Sequence, residues 1–280
     1  MTKKEIRFFD AARYGDLETV KALLRDGIDV NLRDDRGMPT NRTALMHAAE
    51  NGHLKIVGAL LHTGAQVDVK DKGISPDLPG GNTALILAIN NGHVKVAERL
   101  LDAGASSKTR GGGTTVLCAA AELGDPSLVR RLLDLGADPT MRSTQQWTPI
   151  ECAILKRHAP VLRILLEAGV DSNARVAGGS TPLNSAVCEG FIDLCKLLLE
   201  QGADPNLASS RGFTPLMHAA VSGNIKIVRL LLKAGARLDT TNDRGETALD
   251  VATEADQKTV MELLRDAGGK SSKNLVSKAS

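Results

Sequence analysis

Short apolar runs alternate with polar turns along almost the whole chain, and residues 211–243 show the pattern most clearly. Thr214 followed by Pro215 predicts the start of a helix, because threonine accepts N-cap hydrogen bonds and proline needs no partner in the first turn. Gly223 ends this helix. A second, more apolar helix then runs toward Gly235, which suits the left-handed position after a helix. The stretch therefore predicts a pair of helices joined by a tight turn.

The helix-opening threonine returns at regular distances. Consecutive members lie 40, then 32, then 33 residues apart four times in succession. Self-similarity at this period predicts a repeat protein in which each unit packs only on its neighbours. The series is Thr43, Thr83, Thr115, Thr148, Thr181, Thr214 and Thr247.

The repeated motifs resemble those of the ankyrin-repeat family. They are TPL at 181–183 and 214–216, TAL at 43–45, 83–85 and 247–249, GHLKIV at 52–57, GHVKV at 92–96 and GADPN at 202–206. The resemblance covers about residues 5–268. It implies an all-α solenoid of about eight helix-turn-helix repeats, with β-turn fingers and polar terminal caps. It also implies binding as the general role, since different members of the family bind different molecules.

The pattern divides the chain into a polar lead at 1–4, an ankyrin-repeat domain at 5–268 and a disordered basic tail at 269–280. The repeats are expected at about 5–33, 34–70, 71–110, 111–142, 143–175, 176–208, 209–243 and 244–268.

Two fingers carry insertions before their threonine, at 38–41 and about 74–80. Surface loops accept insertions at small entropic cost, so the extra residues need no functional explanation. Long loops on neighbouring repeats are nevertheless candidates for contacting a partner.

Charge and composition exclude several functional classes. The net charge is +2, so no overall attraction to nucleic acid or membranes is expected. One tryptophan, one tyrosine and four phenylalanines are too few for a base-stacking platform. No stretch resembles a signal peptide or a membrane span. We therefore expect a cytoplasmic protein, or a protein of the host cytosol if the chain is a delivered bacterial effector. The polar terminal caps argue against end-to-end stacking and favour a monomer.

Cysteine and histidine positions argue against metal sites. We expect Cys118, Cys152, Cys188 and Cys195 to be small, buried and reduced, because they form no CxxC pair. His53, His93 and His158 share one slot in successive repeats, about a helix diameter apart and too far for one zinc ion. His47 and His218 follow by one residue the histidine of the family's TPLH motif, and a structural role is expected. His62 is expected to be a solvated residue at a helix end.

The chain contains none of the motifs that mark an enzyme. It has no nucleophile elbow, no HExxH and no glycine-rich dinucleotide loop. GGGTT at 111–115 and GGKSS at 268–272 lack the glycine–lysine spacing of a phosphate-binding loop. The three glycines are interpreted as relaxing a short finger. We therefore predict no enzymatic activity, no catalytic residues, no cofactor and no metal.

In the ankyrin-repeat family, the finger tips and the exposed face of the first helices usually form a concave binding surface. The resemblance implies a partner protein at the equivalent positions here. Trp147 and Phe213 come first, because exposed aromatic side chains are enriched in binding hot spots. Leu155, Cys188 and Val221 would extend an apolar strip. The predicted partner-binding residues are Trp147, Phe213, Arg42, Asn82, Ser180, Leu155, Lys156, Glu50, Asn51, Asn90, Asn91, Val221, Pro76, Asp77 and Leu78.

Charged residues crowd the early fingers, where Arg36, Arg42, Lys70, Lys72, Lys108 and Arg110 are interleaved with Asp34, Asp35, Asp68, Asp71 and Asp77. A mixed field of this kind is expected to be a solvated edge, which could also steer a partner carrying both signs of charge.

Two alternatives stay open. Trp147 with Lys156, Arg157 and Arg175 could bind a small molecule or an oligonucleotide by stacking and phosphate pairing, as in a few proteins of the family. Separately, Asn31, Asn173 and Asn206 occupy a site that resembles the asparagine hydroxylated in some ankyrin-repeat proteins.

Overall fold

The computed structural model describes residues 1–36, 41–73 and 80–272. These residues form sixteen α-helices that alternate as the first and second members of helix-turn-helix pairs. The first helices are α1 (Lys3–Tyr14), α3 (Ala44–Glu50), α5 (Ala84–Asn90), α7 (Val116–Leu123), α9 (Pro149–Leu155), α11 (Pro182–Cys188), α13 (Pro215–Ser222) and α15 (Ala248–Glu254). The second helices are α2 (Leu17–Arg25), α4 (Leu54–His62), α6 (Val94–Asp102), α8 (Pro126–Asp134), α10 (Ala159–Glu167), α12 (Ile192–Glu200), α14 (Ile225–Lys233) and α16 (Lys258–Asp266). A 3-10 helix (Ala177–Gly179) and the strands β1 (Arg110–Gly111) and β2 (Thr114–Thr115) complete the secondary structure.

The chain divides into two compact units, Met1–Pro149 and Ile150–Ser280. In the first unit α1, α3, α5 and α7 pack in sequence order, and α2, α4 and α6 form a second layer. In the second unit α11, α13 and α15 form one layer, and α10, α12, α14 and α16 form the other. Within each unit, a helix thus packs on its own partner and on the equivalent helices of adjacent repeats. This is the all-α architecture that the period predicted.

Threonine caps start the first helices as predicted. In each case the hydroxyl accepts a hydrogen bond from the backbone N–H three residues later, which provides a partner for one of the free donors of the first turn. The capping residues with this bond are Thr43, Thr83, Thr115, Thr181, Thr214 and Thr247.

The inner first helices α3 and α5 are almost entirely buried, whereas the second helices bury one face. Residues 44–49 of α3 and residues 84–89 of α5 are all buried. Small alanines allow neighbouring helices to approach from several sides, so these helices form the centre of each unit. In α14 burial falls on Ile227, Val228 and Leu231, the spacing of one amphipathic face.

Short and long fingers are closed by the same kind of backbone hydrogen bond, from the residue that opens the finger to the residue before the threonine. In the short fingers the amide of Ser209 donates to the carbonyl of Phe213 at 2.8 Å. The two fingers with insertions keep the same closure, from Asp34 to Arg42 at 2.7 Å and from Asp71 to Asn82 at 3.0 Å. The residues that flank each insertion therefore pair as the two ends of a finger, and residues 38–40 and 74–79 lie outside the described part.

The three glycines at 111–113 form a tight hairpin. Gly112 and Gly113 join β1 to β2 and both have positive φ, 57° and 84°. Two consecutive positive φ values are the requirement of a type I′ turn, which glycine meets without steric cost. The structure thus gives these glycines a conformational role in the finger.

Asparagine side chains link successive repeats. Asn206 Nδ2 donates to the carbonyl of Gly235 at 3.2 Å, and its Oδ1 accepts from the amide of Arg237 at 2.7 Å. Asn31 and Asn173 make the same pair of bonds to the turns that follow them. These amides therefore already have partners in the folded chain.

We expect Asn206→Asp to lower the free energy of unfolding by about 1–2 kcal/mol. The carboxylate still accepts from Arg237, but it cannot donate to the carbonyl of Gly235. Urea denaturation followed by circular dichroism measures the loss. The reciprocal change Asp68→Asn supplies a donor where the native carboxylate only accepts, from the amide of Ser106 at 3.0 Å, and should not lower stability. Equal stability of Asn206→Asp and the native chain would refute this role.

Candidate functional site

Arg42, one of the predicted contact residues, is buried in a charge cluster of the first unit. Its Nη1 lies 2.5 Å from Glu50 Oε2, and its Nε lies 3.3 Å from Asp71 Oδ2. The Arg42 side chain is 8 % exposed and that of Asp71 is 0 % exposed. Asn82 completes the cluster, since its backbone amide donates to Asp71 Oδ1 at 2.8 Å. Arg42, Glu50 and Asn82 therefore hold neighbouring fingers and a helix together.

A second cluster surrounds His47 in α3. Asp34 Oδ2 lies 3.2 Å from His47 Nε2, and Arg36 Nε lies 3.0 Å from Asp34 Oδ1. Burial, with the nearby positive charge of Arg13, lowers the pKa of His47 to about 4, although Asp34 opposes the shift. Burial would raise the pKa of Asp34, but hydrogen bonds from Arg36 outweigh it and lower that pKa. We therefore assign the proton of a neutral His47 to Nε2, which donates to the Asp34 carboxylate.

The expectation that the early fingers form a solvated mixed-charge edge is wrong for three of its members. Asp34, Arg42 and Asp71 are 3 %, 7 % and 5 % exposed. Each finds its partner in the first unit, so the charges are paired instead of hydrated. Residue type alone could not show that these charges are buried. Asp34 and Asp71 occupy the position that opens a finger, and at the same position Ser143 and Asn242 accept backbone hydrogen bonds with their side-chain oxygens.

Trp147 lies half-buried at the end of its finger. Its carbonyl accepts from the Ser143 amide at 2.8 Å and from Cys118 Sγ at 3.5 Å. Its own amide donates to Ser143 Oγ at 3.1 Å. The backbone that carries the indole is therefore fixed, and the residue keeps part of its surface exposed.

Phe213 belongs to the second unit and is also half-buried. Its ring lies 5.3 Å from that of His218, at an interplanar angle of 39°. Burial lowers the pKa of His218, which favours the neutral, less hydrated ring. Val221 follows one turn later on α13 and is 43 % exposed. Phe213 thus packs on a side chain of α13 from just before that helix, and Val221 is exposed near the end of the same helix.

Position seven after the cap threonine differs in chemistry between the two units. In the first unit it is polar, and in the second it is apolar until the last repeat. The residues are Glu50, Asn90 and Glu122, then Leu155, Cys188 and Val221, and finally Glu254. Cys188 and Val221 are both exposed, on the adjacent helices α11 and α13. We call Phe213, Val221 and Cys188 the apolar strip.

The remaining predicted contact residues are distributed over both units. Asn51, Asn90, Asn91 and Lys156 are exposed, while Leu155 and Ser180 are half-buried. Asn51 and Asn91 both donate their side-chain amide to a carbonyl of their own helix at 2.8 Å. Pro76, Asp77 and Leu78 lie outside the described residues. Partner contact by this set stays a prediction.

Burial of all four cysteines was a wrong expectation. Cys118, Cys152 and Cys195 are buried, and Cys188 is exposed because its helix-end position faces outward. Burial raises the pKa of Cys195 to about 12, so this thiol stays protonated at neutral pH.

The histidines that share the turn slot have structural partners. His53 Nε2 lies 2.9 Å from the carbonyl of Arg13, and His93 Nε2 lies 3.0 Å from that of Glu50. Each ring thus ties its repeat to the preceding one. The described residues contain no group of three or more His, Cys, Asp or Glu side chains arranged to hold a metal ion.

Two basic residues of the alternative ligand site, Arg157 and Arg175, already have partners within the second unit. Arg157 lies 3.3 Å from Asp193 Oδ1 and 5.2 Å above the ring of Phe191. Arg175 Nη1 donates to the carbonyls of Gly179 and Ala208. These contacts hold turns and fingers in place, so they do not favour a phosphate-binding role.

Among the described helices, none is long and apolar enough to cross a membrane.

Comparison with known proteins identifies the family. The family model for ankyrin repeats matches three times, at residues 8–111, 117–209 and 183–274. The crystal structure of the human ASB11 ankyrin repeat domain is similar, with a TM-score of 0.70 and 30 % identity, over 82 % of this chain and 99 % of that one. No curated protein matches the sequence. The chain therefore belongs to the ankyrin-repeat family, whose repeats generally act as protein–protein interaction modules.

Proposed function

We propose that this chain binds a partner protein through its fingers and the exposed ends of its first helices. The exposed apolar strip of the second unit carries the proposal. Val221 is 43 % exposed on a well-packed helix, and the Phe213 ring packs against His218 of the same helix. Large apolar side chains held at a surface are typical of the centre of a protein interface.

Rigid presentation supports the same proposal. The Ser209 amide donates to the Phe213 carbonyl, and the Met217 amide donates to the Thr214 hydroxyl. These two bonds fix the backbone on both sides of the Phe213 ring. Little conformational entropy is then lost when a partner binds, so a modest contact area can give useful affinity.

The polar helix ends of the first unit would set specificity. Asn90, Asn91 and Glu122 are exposed there, in place of the apolar side chains of the second unit. Polar groups at the margin of an interface select partners and orientation more than they add affinity.

Affinity purification with quantitative mass spectrometry tests the proposal. One bait is the native chain and another carries Phe213→Ala with Val221→Ser. We expect a partner recovered by the native bait to fall at least about tenfold with the double variant, since hot-spot residues contribute about 2 kcal/mol or more. Trp147→Ala, as a separate bait, reports on the first unit.

Leu135→Ser is the matched control, because Leu135 is 46 % exposed but lies after a second helix. Its bait should recover the same proteins as the native chain. If the double variant also recovers them unchanged, the partner binds elsewhere and this assignment of the site is wrong.

A further inference from the structure

A groove of about 630 Å³ lies between the second helices α2 and α4 of the first unit. Its apolar part is formed by Leu17 and Leu24 of α2 and by Ala59 of α4. All three side chains are partly exposed. The groove is lined by no residue of the fingers or of the first helices, so it is separate from the surface proposed above.

The groove is open because Ala59 is small. The sixth residue of a second helix faces the preceding second helix in the first unit, as the 2.5 Å ion pair from Arg131 of α8 to Asp102 of α6 shows. Among the second helices that follow another, α4 alone has a small residue at this position within the described chain. The sixth residues are Ala59, Arg99, Arg131, Ile164, Leu197, Leu230 and Leu263.

Basic side chains surround the apolar surface. Lys21, Arg25 and Lys55 line the groove together with His62. Lys21 pairs with Glu18 of its own helix at 3.3 Å, where both groups are exposed and the pair is weak. Arg25 and Lys55 form no ion pair within the residues that the structure describes. The groove is therefore an apolar recess with a positive rim.

We propose that this groove docks an acidic amphipathic segment of a partner protein. The recess takes a few large apolar side chains of a peptide, and the rim matches Asp or Glu beside them. A membrane fits less well, because the apolar surface is recessed between two helices and does not project from them.

A peptide selection tests this inference without knowledge of the partner. A phage library of random 16-residue peptides is panned on the native chain, with counter-selection on the Ala59→Arg variant. Arginine occurs at the same position in α6 and α8, so the variant should keep the native circular dichroism spectrum. We expect the enriched peptides to combine Asp or Glu with Leu, Ile or Phe.

Synthetic versions of these peptides should bind at least tenfold more weakly to Ala59→Arg and to Lys55→Glu. Lys226→Glu changes the equivalent residue of α14 and should leave affinity unchanged. Methyl NMR should show shifts at Leu17, Leu24 and Ala59 on peptide addition.

Three results would overturn the proposal. One is the absence of any clone that prefers the native chain to Ala59→Arg. Another is enrichment of neutral or basic peptides. The last is a set of methyl shifts caused by phosphatidylcholine vesicles containing phosphatidylglycerol but by none of the peptides, which would assign the groove to a lipid surface.

Discussion

Arg42→Met should lower the free energy of unfolding by about 3–5 kcal/mol, the largest effect expected of a single charge removal in this chain. The Asp71 carboxylate is 0 % exposed and depends on Arg42 for its positive partner. Methionine keeps much of the side-chain volume but supplies no charge or donor. Among the residues that the structure describes, only the amide groups of Asn82 would then remain to hydrogen-bond the buried Asp71 carboxylate. Urea denaturation followed by circular dichroism measures the effect.

Arg131→Met provides the matched control. The pair from Arg131 to Asp102 is as short as that from Arg42 to Glu50, 2.5 Å in both, but its side chains are 42 % and 49 % exposed. Exposed pairs contribute at most about 1 kcal/mol, so this variant should remain near native stability. Asp71→Asn should recover part of the loss when combined with Arg42→Met, because it removes the unpaired charge. Equal effects of the two arginine variants would contradict the buried-charge explanation.

Gly111→Ala should destabilise the chain by about 3 kcal/mol or more through a steric clash. A Cβ at Gly111 would lie 1.9 Å from the carbonyl oxygen of Gly81 and 2.8 Å from the amide nitrogen of Asn82. The amides of Gly81 and Asn82 both donate to Asp71, so this stretch of backbone cannot move aside cheaply. Loss of the hairpin would also separate the two fingers that meet there. Thermal and urea unfolding measure the loss.

Gly58→Ala is the control, because its expected effect on stability is opposite in sign. Gly58 lies inside α4, and a Cβ there would meet nothing within 4 Å. Alanine favours the helix over glycine by about 0.5–1 kcal/mol, so this variant should be more stable than the native chain. If Gly111→Ala did not lower stability, this would contradict the close approach of the two fingers at Gly111.

Local rules account for the parts of this fold that the sequence predicted. Thr214 and Gly223 begin and end a helix through hydrogen bonds and φ values that involve only a few neighbouring residues. The repeat period then places the other helices, because each unit copies the same local signals. The resemblance to ankyrin repeats, resting on those motifs, is confirmed by the family model and by the human ASB11 domain.

Candidate site residues were predictable only as positions in the repeat. Trp147 and Phe213 were expected to be available at the surface, and both lie half-buried at finger ends. Arg42 shares their position but is buried against Asp71 and Glu50. The repeat pattern determines the backbone position of a residue. Its side-chain contacts depend on which residues the neighbouring finger carries.

The sequence by itself determined the helix pairs, their order and the family of this protein, because those follow from short-range capping and from periodicity. Only the tertiary structure decided which charges are buried and where a surface is left open. Asp34 becomes a buried partner of His47, and Ala59 opens a groove against α2. Both outcomes depend on side chains from different repeats meeting in space. No pattern within one repeat encodes that meeting.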